Sequence, residues 1–121
     1  DDQLSDITDR LMAAEVTREK LFLRLHQELP YSLTVETESW TRTKKGGLRI
    51  EQVIYVERDG QKALVLGQKG RTAQAVGEAA RTALAELLGE PVHLFLFVKV
   101  RGNWMADAER YRGMGLAGLP S

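Results

Sequence analysis

Apolar residues recur in the N-terminal part of the chain at Ala14, Leu21, Leu25 and Leu29, with Phe22 beside them. Steps of seven, four and four put these positions on one face of a helix, and Glu15, Arg18, Glu19 and Arg24 fall on the other. The pattern predicts a helix over 9–28. Pro30 stops it, because the residue before a proline is pushed out of the α region. Residues 1–8 are polar and acidic, with Ser5 and Thr8 as candidate N-caps. They are expected to be a linker remnant or the frayed lead of the helix. The chain has no initiator Met and reads as the inside of a longer protein.

The period then changes to two. Tyr31 to Thr41 alternates Leu33 and Val35 with Thr34, Glu36 and Glu38, a strand pattern. Leu48 to Arg58 is the clearest strand, with Leu48, Ile50, Ile54 and Val56 on one side. Arg49, Glu51, Val53, Tyr55 and Glu57 lie on the other. Between these strands Arg42 to Gly47 forms a basic hairpin connection, and Asp59-Gly60 supplies turn chemistry after the second. Gln61 to Leu66 is enough for a short helix. Arg71 to Leu88 has an apolar stripe of Ala73, Val76, Ala80, Ala83 with Leu84, and Leu87. Gly89 is its natural C-cap and Pro91 forbids continuation. Val92 to Val100 is a third strand, with His93, Phe95, Phe97 and Lys99 facing away from the valines and leucines. Gly102-Asn103 turns the chain, Trp104 to Gly113 suits a last helix, and 114–121 is a Gly-rich tail expected to be flexible.

The resulting order, α-β-β-α-α-β-α, belongs to the α+β class, with helices on one face of the sheet. The other sheet face is apolar for a solvent surface, with Val53, Tyr55, Phe95, Phe97 and Trp40. Its cover is either the chain's own last helix or a partner.

Composition narrows the functional classes. The length, 121 residues, is that of one domain. No cysteine is present, so disulfides, thiolate metal sites and thiol catalysis are excluded. No apolar run approaches the ~20 residues of a membrane span. Formal net charge is zero, but Trp40 to Arg101 holds 11 basic and 6 acidic residues, and the remainder 6 and 11. The basic middle offers a local field to an anionic partner. No run has the spacing of a P-loop, no serine sits in a nucleophile elbow, and His26 and His93 lack the acidic or histidine neighbours of a metal site. No catalytic constellation and no cofactor are expected.

One stretch carries chemistry. In Val65-Leu66-Gly67-Gln68-Lys69-Gly70-Arg71, two glycines bracket two polar residues, and a long helix follows directly. The helix points its free N–H groups and the positive end of its dipole back at the loop. Lys69 and Arg71 add full charges, and the glycines leave room for a polyanion backbone. The candidate polyanion-binding residues are Gly67, Gln68, Lys69, Gly70 and Arg71, with Val65, Leu66, Ala73 and Val76 as the candidate floor of an adjoining groove. Lys44, Lys45 and Lys62 are further candidates for phosphate contact.

The order α-β-β-α-α-β with Gly67 to Gly70 between consecutive helices resembles a type II KH domain. The segments EKLFLRLHQELPYSLTVETESW, IEQVIYVERDGQKALVLGQKGRTAQAVGEAAR and LLGEPVHLFLFVKVRGNWMADAERYRGMGL are similar to the C-terminal part of the Era family of GTPases. The likeness covers roughly 7–116. It rests on an ordered set: Leu29-Pro30-Tyr31, Ile54 to Arg58, the Gly67 to Gly70 loop, and Val98-Lys99-Val100 leading to Trp104.

The resemblance implies a three-stranded mixed sheet and a type II KH domain over 9–113. It implies single-stranded RNA as partner, specifically the 3′ end of 16S rRNA of the small ribosomal subunit, during assembly of that subunit. It also implies a GTPase domain in the full-length protein, which this chain lacks, so the chain itself is expected to be no enzyme. Cytoplasmic localisation follows, with peripheral association at the inner membrane open to the full-length family. The alternative function is a protein-interaction domain that docks on a GTPase domain or ribosomal protein through the apolar sheet face.

Overall fold

The structure, a computed structural model, describes residues 2–102, with side chains described from residue 7 onward. Its elements are α1 (Asp2–Leu25), β1 (Thr34–Arg42), β2 (Leu48–Val56), α2 (Asp59–Leu66), α3 (Arg71–Leu88) and β3 (Val92–Val100). A 3₁₀ turn, His26–Glu28, extends α1, and another, Gln68–Gly70, precedes α3. The helix expected over 104–113 and the tail over 114–121 lie outside the described residues.

β2 is the central strand, antiparallel to β1 and parallel to β3. The parallel pairing requires a crossover, and α2 and α3 supply it. The helices pack on one face. Two core clusters lie beneath them, one around Leu21, Ile54, Val65 and Val76, the other around Ala13, Ile50, Leu84 and Val92.

Several boundaries and faces differ from the sequence pattern. α1 begins at Asp2 rather than Asp9. β1 begins at Thr34, because the Leu33 N–H donates to the Pro30 carbonyl at 3.2 Å and turns the chain around an exposed Tyr31. Asp59 and Gly60 open α2 instead of forming a separate turn. The Gln61 side-chain oxygen accepts from the N–H groups of Glu57 and Arg58, at 2.9 and 3.1 Å, and so fixes the start of that helix. Leu87 is 64% exposed, and Leu88, one turn beyond Leu84, packs on the core in its place.

Trp40 is the largest correction. It lies on the helix-covered face, packed against the second cluster, and not on the open face. A bulge in β1 is the reason. Thr37 pairs with Gln52, but Ser39 pairs with Glu51, so Glu38 is an extra residue. One extra residue reverses the side of every residue after it. Trp40 thereby lands opposite Ile50. The other face keeps Val53, Tyr55, Phe95 and Phe97, with Val53 only 4% exposed but Phe95 42% and Phe97 47%. Guanidinium groups lie over two of these rings, Arg49 at 4.5 Å from the Phe95 centroid and Arg101 at 3.8 Å from that of Tyr55. Arg49 pairs with Glu51, and Arg101 with Glu36 at 2.9 Å.

Between the two clusters sits a polar pair, both fully buried: Thr17 on α1 and Gln52 on β2. The Thr17 hydroxyl donates to Gln52 Oε1 at 2.5 Å, Gln52 Nε2 donates to Thr37 Oγ1 at 3.2 Å, and the Thr37 hydroxyl donates to the Arg10 carbonyl at 2.8 Å. This relay ties α1 to both strands in one register. Thr17→Val keeps the shape but leaves Gln52 Oε1 buried without a donor, a loss of about 1–3 kcal/mol. Urea unfolding followed by circular dichroism checks this, with a lowered midpoint at unchanged slope as the expected result.

Candidate nucleic-acid interface

The loop between α2 and α3 is tightly built. Gly67 has φ 74 and ψ 176, Lys69 has φ 56 and ψ 27, and Gly70 has φ 74 and ψ 12. The Gly67 N–H donates to the Ala63 carbonyl at 2.9 Å, and the Gly70 N–H to the Gly67 carbonyl at 3.0 Å. The two glycines serve different purposes. A Cβ at Gly67 would lie 2.1 Å from Thr72 Oγ1, so the fold itself needs a glycine there. A Cβ at Gly70 would meet nothing within 4 Å, so Gly70 leaves its backbone open to approach from outside.

The electrostatics of the loop are unbalanced. No side chain caps α3, and its first turn has no acidic residue. Gln68, Lys69 and Arg71 are exposed, and neither cation has an ion-pair partner among the described residues. Cations at a helix N-terminus add to the positive end of the dipole, an arrangement unfavourable to the helix alone and favourable to a bound anion.

From the loop a groove of about 410 Å³ runs between α3 and β3. Gly70, Ala73, Gln74 and Gly77 line it from the helix, Leu94 and Leu96 from the strand, and Glu78 and Arg81 continue the helical wall. Its length along α3, Gly70 to Arg81, is about 16 Å at 1.5 Å per residue.

Some residues singled out in the sequence meet at this site and others do not. Gly67, Gln68, Lys69, Gly70 and Arg71 form one loop and helix start, and Gly70 and Ala73 line the groove. Val65 and Val76 are core residues, 0% and 2% exposed, with no surface to offer a ligand. Leu66 is half-buried and packs against the first cluster. Lys62 is half-buried on α2. Lys44 and Lys45 are exposed at the hairpin beside Pro91, where β3 begins. Because α3 runs back along β3, the hairpin lies by the C-terminal end of α3, and the loop is at its N-terminal end. Arg42, the third base of the hairpin, is committed to Glu90 at 2.5 and 3.2 Å. Donation of these hydrogen bonds to Glu90, together with that carboxylate's charge, raises the pKa of the Arg42 guanidinium above its ordinary value.

The groove residues that pattern reasoning missed are Gln74, Gly77, Glu78 and Arg81, and the two leucines as its wall. Gly77 was the available signal. A glycine inside a helix is unfavourable by about 1 kcal/mol against alanine, and an amphipathic stripe does not call for one.

Comparison with known proteins agrees with this geometry. The KH domain family model matches residues 28–105. GTPase Era of Brucella suis biovar 1 is 65% identical over 116 residues, covering 96% of this chain and 37% of that protein. GTPase Era of Mesorhizobium japonicum is 62% identical over 116 residues, with the same coverage of 96% and 37%. The chain thus spans little more than a third of the length of these curated relatives. Among solved structures, Aquifex aeolicus Era bound to GDP·AlF4⁻ superposes with a TM-score of 0.74 at 35% identity, over 85% of this chain and 35% of that one. Era in complex with MgGDPNP and nucleotides 1506–1542 of 16S ribosomal RNA gives the same TM-score, 0.74, identity, 35%, and coverage, 85% and 35%.

Proposed function

The chain belongs to the KH domain family and corresponds to the KH region of GTPase Era, and on that footing we propose that it binds single-stranded RNA at the 3′ end of 16S rRNA. Lys69, Arg71 and the first N–H groups of α3 hold phosphates, with Gln68 as a further hydrogen-bond partner. The bases lie in the groove between α3 and β3. The observation that carries this reading is the loop itself. An exposed cationic turn, on an uncapped helix start without acidic neighbours, opens directly into a groove. The neighbouring Era structure with 16S rRNA nucleotides supports the choice of ligand.

In this reading the chain is the RNA-holding part of a longer protein that acts in assembly of the small ribosomal subunit, in the cytoplasm. GTP hydrolysis belongs to the rest of that protein. Among the described residues there is no cluster of metal-ligating side chains, and no helix is long and apolar enough to cross a membrane. Lys44, Lys45 and Lys62 are assigned at most peripheral phosphate contacts, the first two because of their distance from the loop.

The test is fluorescence anisotropy with a short RNA from the 3′ end of 16S rRNA. Two to four neutralised phosphates give a slope of about −1.4 to −2.8 in log K against log salt, since each single-strand phosphate contributes about −0.7. Affinity should therefore fall about 7- to 50-fold between about 50 and 200 mM salt. Absence of binding by the folded chain at the lower salt would overturn the reading. The half-exposed Phe95 and Phe97 favour a second one, docking of a protein on the open sheet face.

A further inference from the structure

The groove holds a feature that phosphate clamping does not use. Glu78 places a carboxylate on its wall, one residue beyond Gly77. That carboxylate has no hydrogen-bond or ion-pair partner among the described residues, and Glu78 stands on a ridge shared with a second hollow on the other side of α3, which Lys20 also lines. A carboxylate repels phosphate, so it is out of place in a site that recognises only the RNA backbone. It is in place if a base edge faces it, because an ionised carboxylate is an acceptor without donors.

The groove has the volume for that base, and Gly77 keeps its helical wall bare. Its φ is not in the left-handed region, and a Cβ there would meet only the Leu96 side chain, at 3.6 and 4.0 Å, ordinary contact distances. The packing of α3 on β3 would accept alanine. What the missing side chain leaves is a gap the size of one methyl group beside Leu96, so that a base lying in the groove can rest against the helix backbone and Leu96 together.

Resting on the RNA-binding reading, we infer that a nucleobase sits in the groove beside Gly77 and Leu96, and that Glu78 selects there for a base with an amino group, against uracil. Adenine, cytosine and guanine each present an exocyclic amino group on the edge that pairs in a duplex. Uracil presents one N–H between two carbonyl oxygens, and both oxygens repel a carboxylate. Gln74, with one acceptor and two donors, complements any of the four and adds no discrimination.

Cytosine and uracil are the best comparison, because they are alike in size and stacking and differ in the groups that Glu78 would meet. Anisotropy titrations with oligo(C) and oligo(U) would be run on the wild-type chain, Glu78→Gln and Lys69→Asp. The wild type is expected to prefer oligo(C). Glu78→Gln, whose amide both donates and accepts, should lower the ratio of oligo(C) to oligo(U) affinity about 5-fold, the low end of discrimination by a base-reading side chain. Lys69→Asp should weaken both oligonucleotides alike and leave the ratio in place. A ratio unchanged in Glu78→Gln, or a wild type without preference for oligo(C), overturns the selection by Glu78 and leaves RNA binding standing. A wild type that binds neither oligonucleotide nor the rRNA segment overturns both.

Discussion

Replacing Gln68 and Lys69 together with aspartate should reduce RNA affinity by about 100-fold or more and leave the fold intact. A hydrogen bond to a charged group is worth about 1.5–3 kcal/mol, and Lys69 is assigned at least one. The two aspartates add repulsion from the phosphates, so the loss exceeds that of removing the lysine alone. The fold should not notice. Both side chains are exposed and neither has an ion pair among the described residues. Lys69 sits at φ 56, a conformation that Asp accepts better than most residues, so the substitution adds no strain. Acidic side chains ahead of α3 also suit its dipole. Circular dichroism and urea midpoints within about 0.5 kcal/mol of wild type would confirm the fold. Anisotropy would read the loss. Equal binding by the folded double variant and the wild type would sink the loop as a clamp and move attention to Phe95 and Phe97 on the open sheet face.

What the sequence revealed, and what it hid, follows from the range of the interactions involved. α3 was legible to its ends. Its alanine-rich stripe, Gly89 and Pro91 are local signals, and the structure has the helix at Arg71–Leu88. The loop was legible for the same reason, since two glycines and a helix start are close in sequence. The face of Trp40 was not. It depends on the extra residue Glu38 in β1, and a bulge becomes visible only when the partner strand is known. Thr17 and Gln52 were likewise silent. Each is one polar residue in an apolar period, and only the docking of α1 across β2 shows that they bond to each other. The groove was half legible. Ala73 was expected to line it, but Gln74, Gly77 and Arg81 became wall residues only through the antiparallel course of α3 along β3. Val65 and Val76 flank the loop in sequence, and their burial shows that nearness along the chain is not nearness to the ligand.

Gly67→Ala should destabilise the chain by about 3 kcal/mol, the upper end of the ~1–3 kcal/mol range for a residue held in a sparsely populated backbone region. Two effects combine. At φ 74 and ψ 176 the backbone occupies a region open in practice to glycine alone. The new Cβ would also lie 2.1 Å from Thr72 Oγ1 and 2.9 Å from the Thr72 backbone nitrogen. The hydroxyl can rotate away, but the nitrogen belongs to the first turn of α3 and cannot move without the helix. Relief therefore comes from displacing the loop, which carries Lys69 with it. The urea midpoint should drop, and RNA affinity should fall even at temperatures where the variant remains folded. Gly67→Ala combined with Thr72→Ala, read against Thr72→Ala alone, separates the causes, because alanine removes the hydroxyl that the new Cβ would meet and keeps the backbone nitrogen. The double variant should recover little of the lost stability. Recovery to near the stability of Thr72→Ala alone would mean that side-chain crowding, and not the backbone conformation, makes glycine necessary at this position.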